Sequence, residues 1–97
     1  MVFDFSEINK ISGIGEYNIK KEKNRMLFYS GEKVFLVKNP NTIEVRTDAK
    51  LAQFLAEKYE SVMQSRYFGK GGIEIVLAGQ LSDDEIEDLI RLSYSLT

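Results

Sequence analysis

From Glu16 to Thr47 the chain alternates short β-type runs with polar turns too short to hold a crossover, and this constrains the fold more than any other feature. Tyr17 and Ile19 alternate with Asn18 and Lys20, the period-two signature of a half-buried strand. Lys21-Glu22-Lys23-Asn24 reads as a turn, and Arg25 to Tyr29 as a second strand. Ser30-Gly31-Glu32 is a tight turn into a third strand, Lys33 to Lys38, centred on Val34-Phe35-Leu36-Val37. Asn39-Pro40-Asn41 is the strongest turn signal: proline presets φ and the asparagines can bond their own backbone. Thr42 to Arg46 follows as a fourth strand, with Ile43 and Val45 facing one way. Parallel neighbours need a long connection, so these strands form an antiparallel meander.

The flanks read as helices and one further strand. Ser6 can cap a short helix that places Ile8 and Ile11 on one side and ends at Gly13 and Gly15. Asp48 caps a helix running to about Tyr59, with Leu51, Phe54, Leu55 and Tyr59 as its apolar stripe. Ser61 to Phe68 reads as an extended connection with Val62 and Met63 buried, and Gly69-Lys70-Gly71-Gly72 as a flexible loop. Ile73 to Leu77 is the last strand. In the final segment Ser82 is the N-cap, Glu85 completes a capping box and Leu81 can staple to Ile86. That helix buries Ile86, Leu89, Ile90 and either Leu92 or Tyr94. The expected fold is α+β, one domain over residues 1–97, with about five antiparallel strands packed against helices.

Composition narrows the chemistry. The 97 residues contain no cysteine and no histidine. That removes disulfides, thiolate and Ser-His nucleophile systems, the commonest general base and ordinary zinc sites, leaving carboxylates, lysines and tyrosines. The expectation is a non-enzymatic protein without a cofactor or metal. Met1 to Lys10 lack the pattern of a signal peptide, and no apolar run nears the roughly 18 residues a membrane helix needs, so a cytoplasmic location without a membrane partner is expected. Net charge is −2. Residues 1–50 carry nine Lys/Arg against seven Asp/Glu, and residues 51–97 carry four against eight. Phosphate-binding proteins usually show a basic excess, so a nucleic-acid role requires a local basic face.

Two segments could supply a binding surface. Lys20, Lys21, Lys23 and Arg25 are the densest basic run, at a hairpin tip shaped to touch a phosphate backbone; the bland reading is a solvated turn. Arg66, Tyr67, Phe68 and Lys70 set aromatics beside cations next to the glycines, as a stacking or partner-binding surface would; the bland reading is core aromatics. Asp83, Asp84, Glu85, Glu87 and Asp88 match no calcium loop and lie where acidic side chains offset a helix dipole. Gly69-Lys70-Gly71-Gly72 fails as a phosphate loop, because no Ser or Thr follows the lysine and a strand follows the loop. Gly13-Ile14-Gly15 lacks a dinucleotide fingerprint's third glycine.

The second half of the chain resembles the MmcQ/YjbR family. The likeness is carried by Arg66-Tyr67-Phe68-Gly69-Lys70, the strand Ile73 to Leu77, Gly79, the helix Leu81 to Ile90 and Ser93-Tyr94. Upstream, Thr42 to Thr47, Asp48 and the helix through Tyr59 resemble its middle segment, so the likeness spans roughly residues 30–97. Tyr67 stands where the family has histidine, and Gly71-Gly72 where it has a His-Trp pair. The resemblance implies an antiparallel sheet with flanking helices in a double-wing arrangement, and a binding module with DNA as its nominal partner. The alternative is a protein-interaction or small-ligand domain built on the Arg66–Gly72 loop.

Overall fold

The computed structural model describes residues 5–97, apart from the side chains of Ser6 and Glu7. The expectations for the cap at Ser6 and for Met1 to Asp4 therefore lie outside the described residues. A 3-10 helix, Phe5–Lys10, precedes six strands: β1 (Asn18–Lys21), β2 (Met26–Ser30), β3 (Lys33–Lys38), β4 (Thr42–Arg46), β5 (Val62–Ser65) and β6 (Gly69–Val76). Helix α1 (Ala49–Lys58) links β4 to β5, and α2 (Asp83–Ser95) follows β6. The strands form one antiparallel sheet in the order β1-β2-β3-β4-β6-β5. The fold is thus α+β with an antiparallel sheet packed against helices, as the turn pattern requires.

The core lies on one face of the sheet. Ile43 and Val45 of β4 and Ile73 and Ile75 of β6 meet Phe28, Phe35, Leu36, Ile86 and Ile90 there, together with Ile8 and Ile11. Phe35 is the hinge of this packing. The β2–β3 register slips between Phe28 and Tyr29, so Leu36 pairs with Phe28 while Val34 pairs with Tyr29, and Phe35 is left over. The extra residue lets Phe35 and Leu36 both reach the core, as a β-bulge does. Buried Ser93 of α2 fastens the helix at this point. Its hydroxyl donates to the Phe35 carbonyl at 2.5 Å and accepts from the Arg46 backbone N–H at 2.7 Å. Tyr94 packs edge-on against Phe35, with ring centroids 5.0 Å apart, and its hydroxyl donates to the Glu16 carbonyl.

Several sequence expectations are corrected. Residues 62–65 form the edge strand β5, with Val62 buried but Met63 44% exposed. Gly69 to Gly72 are the first half of β6, which ends at Val76. Pairing with β4 and β5 extends the strand through the glycines, which lack the side-chain alternation that marks strands in sequence. Phe54 of α1 is 56% exposed, and the helix buries Ala52 instead. A small residue lets the helix sit close to the sheet at that point. Ile19 is 46% exposed because β1 is an edge strand beyond the reach of either helix. The capping box of α2 is present in both directions, Glu85 N–H to Ser82 Oγ and Ser82 N–H to Glu85 Oε1. No helix among the described residues is long and apolar enough to cross a membrane.

Candidate binding face

Among the described residues, the sheet's other face carries no helix. Strand alternation puts Leu27, Val34, Val37, Glu44 and Glu74 there, because their neighbours in sequence point into the core. A small apolar cluster of Leu27, Val34 and Val37 is topped by Tyr29 and Phe68. Beside it Glu44 and Glu74 stand directly opposite each other on β4 and β6, both only 2% exposed. Two carboxylates in such positions repel, so each needs its own partners.

Those partners come from β5 and the β5–β6 turn, folded back over the sheet, and from Asn39 and Thr42 at the β3–β4 turn. Glu44 Oε1 accepts from Ser65 Oγ and from the Tyr67 backbone N–H, both at 2.8 Å. Glu44 Oε2 accepts from Asn39 Nδ2 at 2.9 Å. Ser65 Oγ in turn accepts from the Phe68 N–H. Burial pushes the Glu44 carboxyl up, but the bonds from Asn39, the Tyr67 and Arg66 backbone and Ser65 outweigh it, and the carboxyl titrates below its ordinary value. Glu74 is held in two-pronged fashion by Arg66, Nε to Oε1 at 2.9 Å and Nη2 to Oε2 at 2.8 Å, and accepts from Thr42 Oγ1. Asn39 also donates to Thr42 Oγ1, so one hydrogen-bonded network joins the β3–β4 turn to the β5–β6 turn. Ser65 and Glu44 are a hydroxyl–carboxylate pair buried under the turn, where they act as an anchor.

The glycines have their cause here. Gly69 has φ +65°, which starts the return of the chain into β6. At Gly72 a Cβ would come within 2.6 Å of the Val45 carbonyl oxygen and 2.7 Å of Phe68 Cβ, so only glycine lets the turn lie this close.

What the turn presents outward is an aromatic–arginine cluster. Tyr67 is 39% exposed and meets half-buried Phe68 edge-on, with centroids 5.0 Å apart. The Arg25 guanidinium carbon lies 5.3 Å from the Tyr67 ring centroid, and that of Arg46 lies 4.8 Å from Phe68. Arg46 is oriented by its Nε–H donating to the Val34 carbonyl at 2.6 Å, and Arg25 by Glu22, also at 2.6 Å. The two segments singled out from sequence thus meet: Arg25 of the basic hairpin stacks on Tyr67 of the β5–β6 turn. Lys20 pairs with Leu27 and shares this face, while Lys21 pairs with Met26 and shares the opposite one. Lys23 lies exposed in the turn between β1 and β2. Lys70 does not join the cluster. It lines a groove beside α1, on the helix-bearing face.

Glu44, Glu74, Ser65 and Arg46 are not among the site residues read from sequence, and Asn39 is read there only as a turn residue. Ile43-Glu44-Val45 and Ile73-Glu74-Ile75 each look like ordinary alternation with a solvent-facing glutamate. The readable signal was that the same pattern occurs in two strands with one arginine, Arg66, nearby.

The chain matches no family model and no curated protein. It is similar in structure to a crystal structure of a protein from Pseudomonas syringae, a Northeast Structural Genomics Consortium target. The two are 16% identical, the match covers 98% of this chain and 99% of that one, and the TM-score is 0.77. At that identity the likeness establishes the fold: a small α+β protein whose antiparallel sheet is covered by helices on one face.

Proposed function

We propose that this chain is a non-enzymatic binding module of the MmcQ/YjbR type that holds nucleic acid, nominally DNA, against its helix-free sheet face. One observation carries this reading: Arg25, Arg46 and Arg66 converge with Tyr67 and Phe68 on one exposed surface, beside Lys20 and Lys23 of the β1–β2 hairpin. Arginine and lysine meet phosphates, and an exposed tyrosine ring offers a base a surface to stack on without reading its identity. Arg25 and Arg66 are already engaged by Glu22 and Glu74, which leaves a modest positive surplus. Binding is therefore weak, salt-sensitive and independent of sequence.

The test is a fluorescence-anisotropy titration with labelled single-stranded and duplex DNA at two salt concentrations. With about four phosphate contacts, affinity falls about a hundredfold between 50 and 200 mM salt. Replacing Lys20, Lys21, Lys23 and Arg25 by glutamine removes most of that slope. Absence of binding at low salt, or binding that survives this replacement, defeats the proposal. A second reading, a protein partner anchored on Tyr67, is favoured by that ring's exposure beside arginines, the composition of interface anchors. It applies if Tyr67→Ala abolishes capture of a protein partner while leaving DNA binding and the melting temperature unchanged.

A further inference from the structure

The two edges of the sheet are built differently. At one, β1 reads Asn18-Ile19-Lys20-Lys21, and lysines on an edge discourage other strands from pairing with it. At the other, β5 reads Val62-Met63-Gln64-Ser65, with no charge and no proline, and among the described residues no strand pairs along its outer side. Next to this unguarded edge runs a groove of about 430 Å³ between α1 and the sheet. Ala49, Ala52 and Ala56 of α1 make its apolar wall, and Gln64 and Lys70 line its sheet side.

The groove has a positive end. The Lys70 side-chain ammonium has no ion-pair or hydrogen-bond partner among the described residues. The Thr47 N–H donates to the Gly71 carbonyl, which sets the start of β6 beside the entry of α1. The N-terminus of α1 is already capped by Asp48, whose carboxylate accepts from the Leu51 N–H, so the positive charge at this end is that of Lys70. Glu57, which accepts from Gln53, lies two turns along the helix, roughly 12 Å away at 1.5 Å per residue. That is the length of about four extended residues.

We propose that an extended peptide with a free terminal carboxylate adds to β5 as a seventh strand, its carboxylate at Lys70 and an apolar side chain against the alanine wall. An open strand edge supplies backbone pairing, the groove takes alternate side chains and the positive end fixes direction. This site is separate from the helix-free face and stands or falls without it.

The experiment is an amide-resolved NMR titration of the full chain with the peptide Thr-Val-Thr-Val-Glu, its carboxyl terminus free. Shift changes confined to residues 62–65, α1 and Lys70 are expected. Binding weakens at least tenfold in Lys70→Glu and in Ala49→Phe. Both positions are exposed, so thermal melts will show these variants folded. An amidated peptide with lysine in place of the glutamate should bind at least tenfold more weakly. Absence of shifts at millimolar peptide, shifts centred elsewhere, or equal binding of the basic peptide overturns the proposal. So does equal saturation of the same residues by valerate, which would make this a small-acid site. A free chain that sediments as a dimer and is returned to monomer by Met63→Lys overturns it too, because a second copy would then cover the edge.

Discussion

At Gly72 a single hydrogen atom separates a turn that lies on the sheet from one that cannot. A methyl group there would overlap the Val45 carbonyl and the Phe68 Cβ, one backbone and the other wedged in its cluster, so neither can yield cheaply. Gly72→Ala should cost about 1–3 kcal/mol, the range for overpacking. Gly71 is the control. Its nearest neighbours would stand 3.8 Å from a new Cβ and its φ is not positive, so alanine there should be neutral or stabilise by up to about 1 kcal/mol. Urea unfolding of the two variants settles the point, and equal destabilisation would mean that the glycines serve flexibility after all. In the sequence Gly69-Lys70-Gly71-Gly72 suggests one loop with one purpose. In the structure Gly69 makes the turn, Gly71 is replaceable and Gly72 admits Phe68. Contact across the sheet decides these roles, and spacing along the chain does not record it.

Among the elements, the meander and both helix starts were legible because their signals are local. Asn39-Pro40-Asn41 fixes a turn, and Ser82 with Glu85 fixes a helix start, whatever surrounds them. Strand β5 was not legible, since its pairing with β6 is assigned by neighbours and its own residues alternate weakly. Helix α2 shows both kinds of information. Its capping box predicts that Ser82→Ala lowers stability by about 1 kcal/mol. Ser93, read from sequence only as part of a Ser-Tyr pair, links α2 to the bulge of β3 and the end of β4. Alanine at Ser93 leaves the Phe35 carbonyl and the Arg46 N–H without that hydroxyl inside the core. The expected loss is about 1–3 kcal/mol, larger than at the cap. Chemical denaturation of both variants tests the order. A Ser93→Ala protein as stable as Ser82→Ala would mean that α2 is held by its apolar face alone.

For the molecule as a whole, two carboxylates in separate places, Glu44 under the β5–β6 turn and Glu85 in the α2 capping box, give stability its dependence on acid pH. Glu44 titrates below its ordinary value because the hydrogen bonds it accepts outweigh its burial, and Glu85 does so because the Ser82 backbone and hydroxyl bond to it. A carboxyl whose folded pKa is depressed binds fewer protons folded than unfolded. Its contribution is complete above the unfolded value, about 4.3, and is lost as pH falls through the folded one. Lys38, lowered by burial, has the same sign at the alkaline end, where stability rises slightly as the folded lysine gives up its proton first. Melting temperature should therefore be level through neutrality, rise slightly at high pH and drop below about pH 4.5. Glu44→Gln separates the two acidic contributors. The amide cannot titrate, and its NH2 group would face Asn39 Nδ2 or the Ser65–Tyr67 side, so the neutral plateau falls by about 1–3 kcal/mol. The acid limb becomes shallower, because the contribution of Glu44 is gone and that of Glu85 stays. Melts of both proteins from pH 3 to 8 decide this, and parallel acid limbs would remove Glu44 from the explanation. The same protonation releases the anchor of the Ser65–Phe68 turn. The DNA binding proposed through Tyr67 should then weaken in step with the acid limb, although protonating carboxylates on a chain of net charge −2 would by itself strengthen its hold on phosphate.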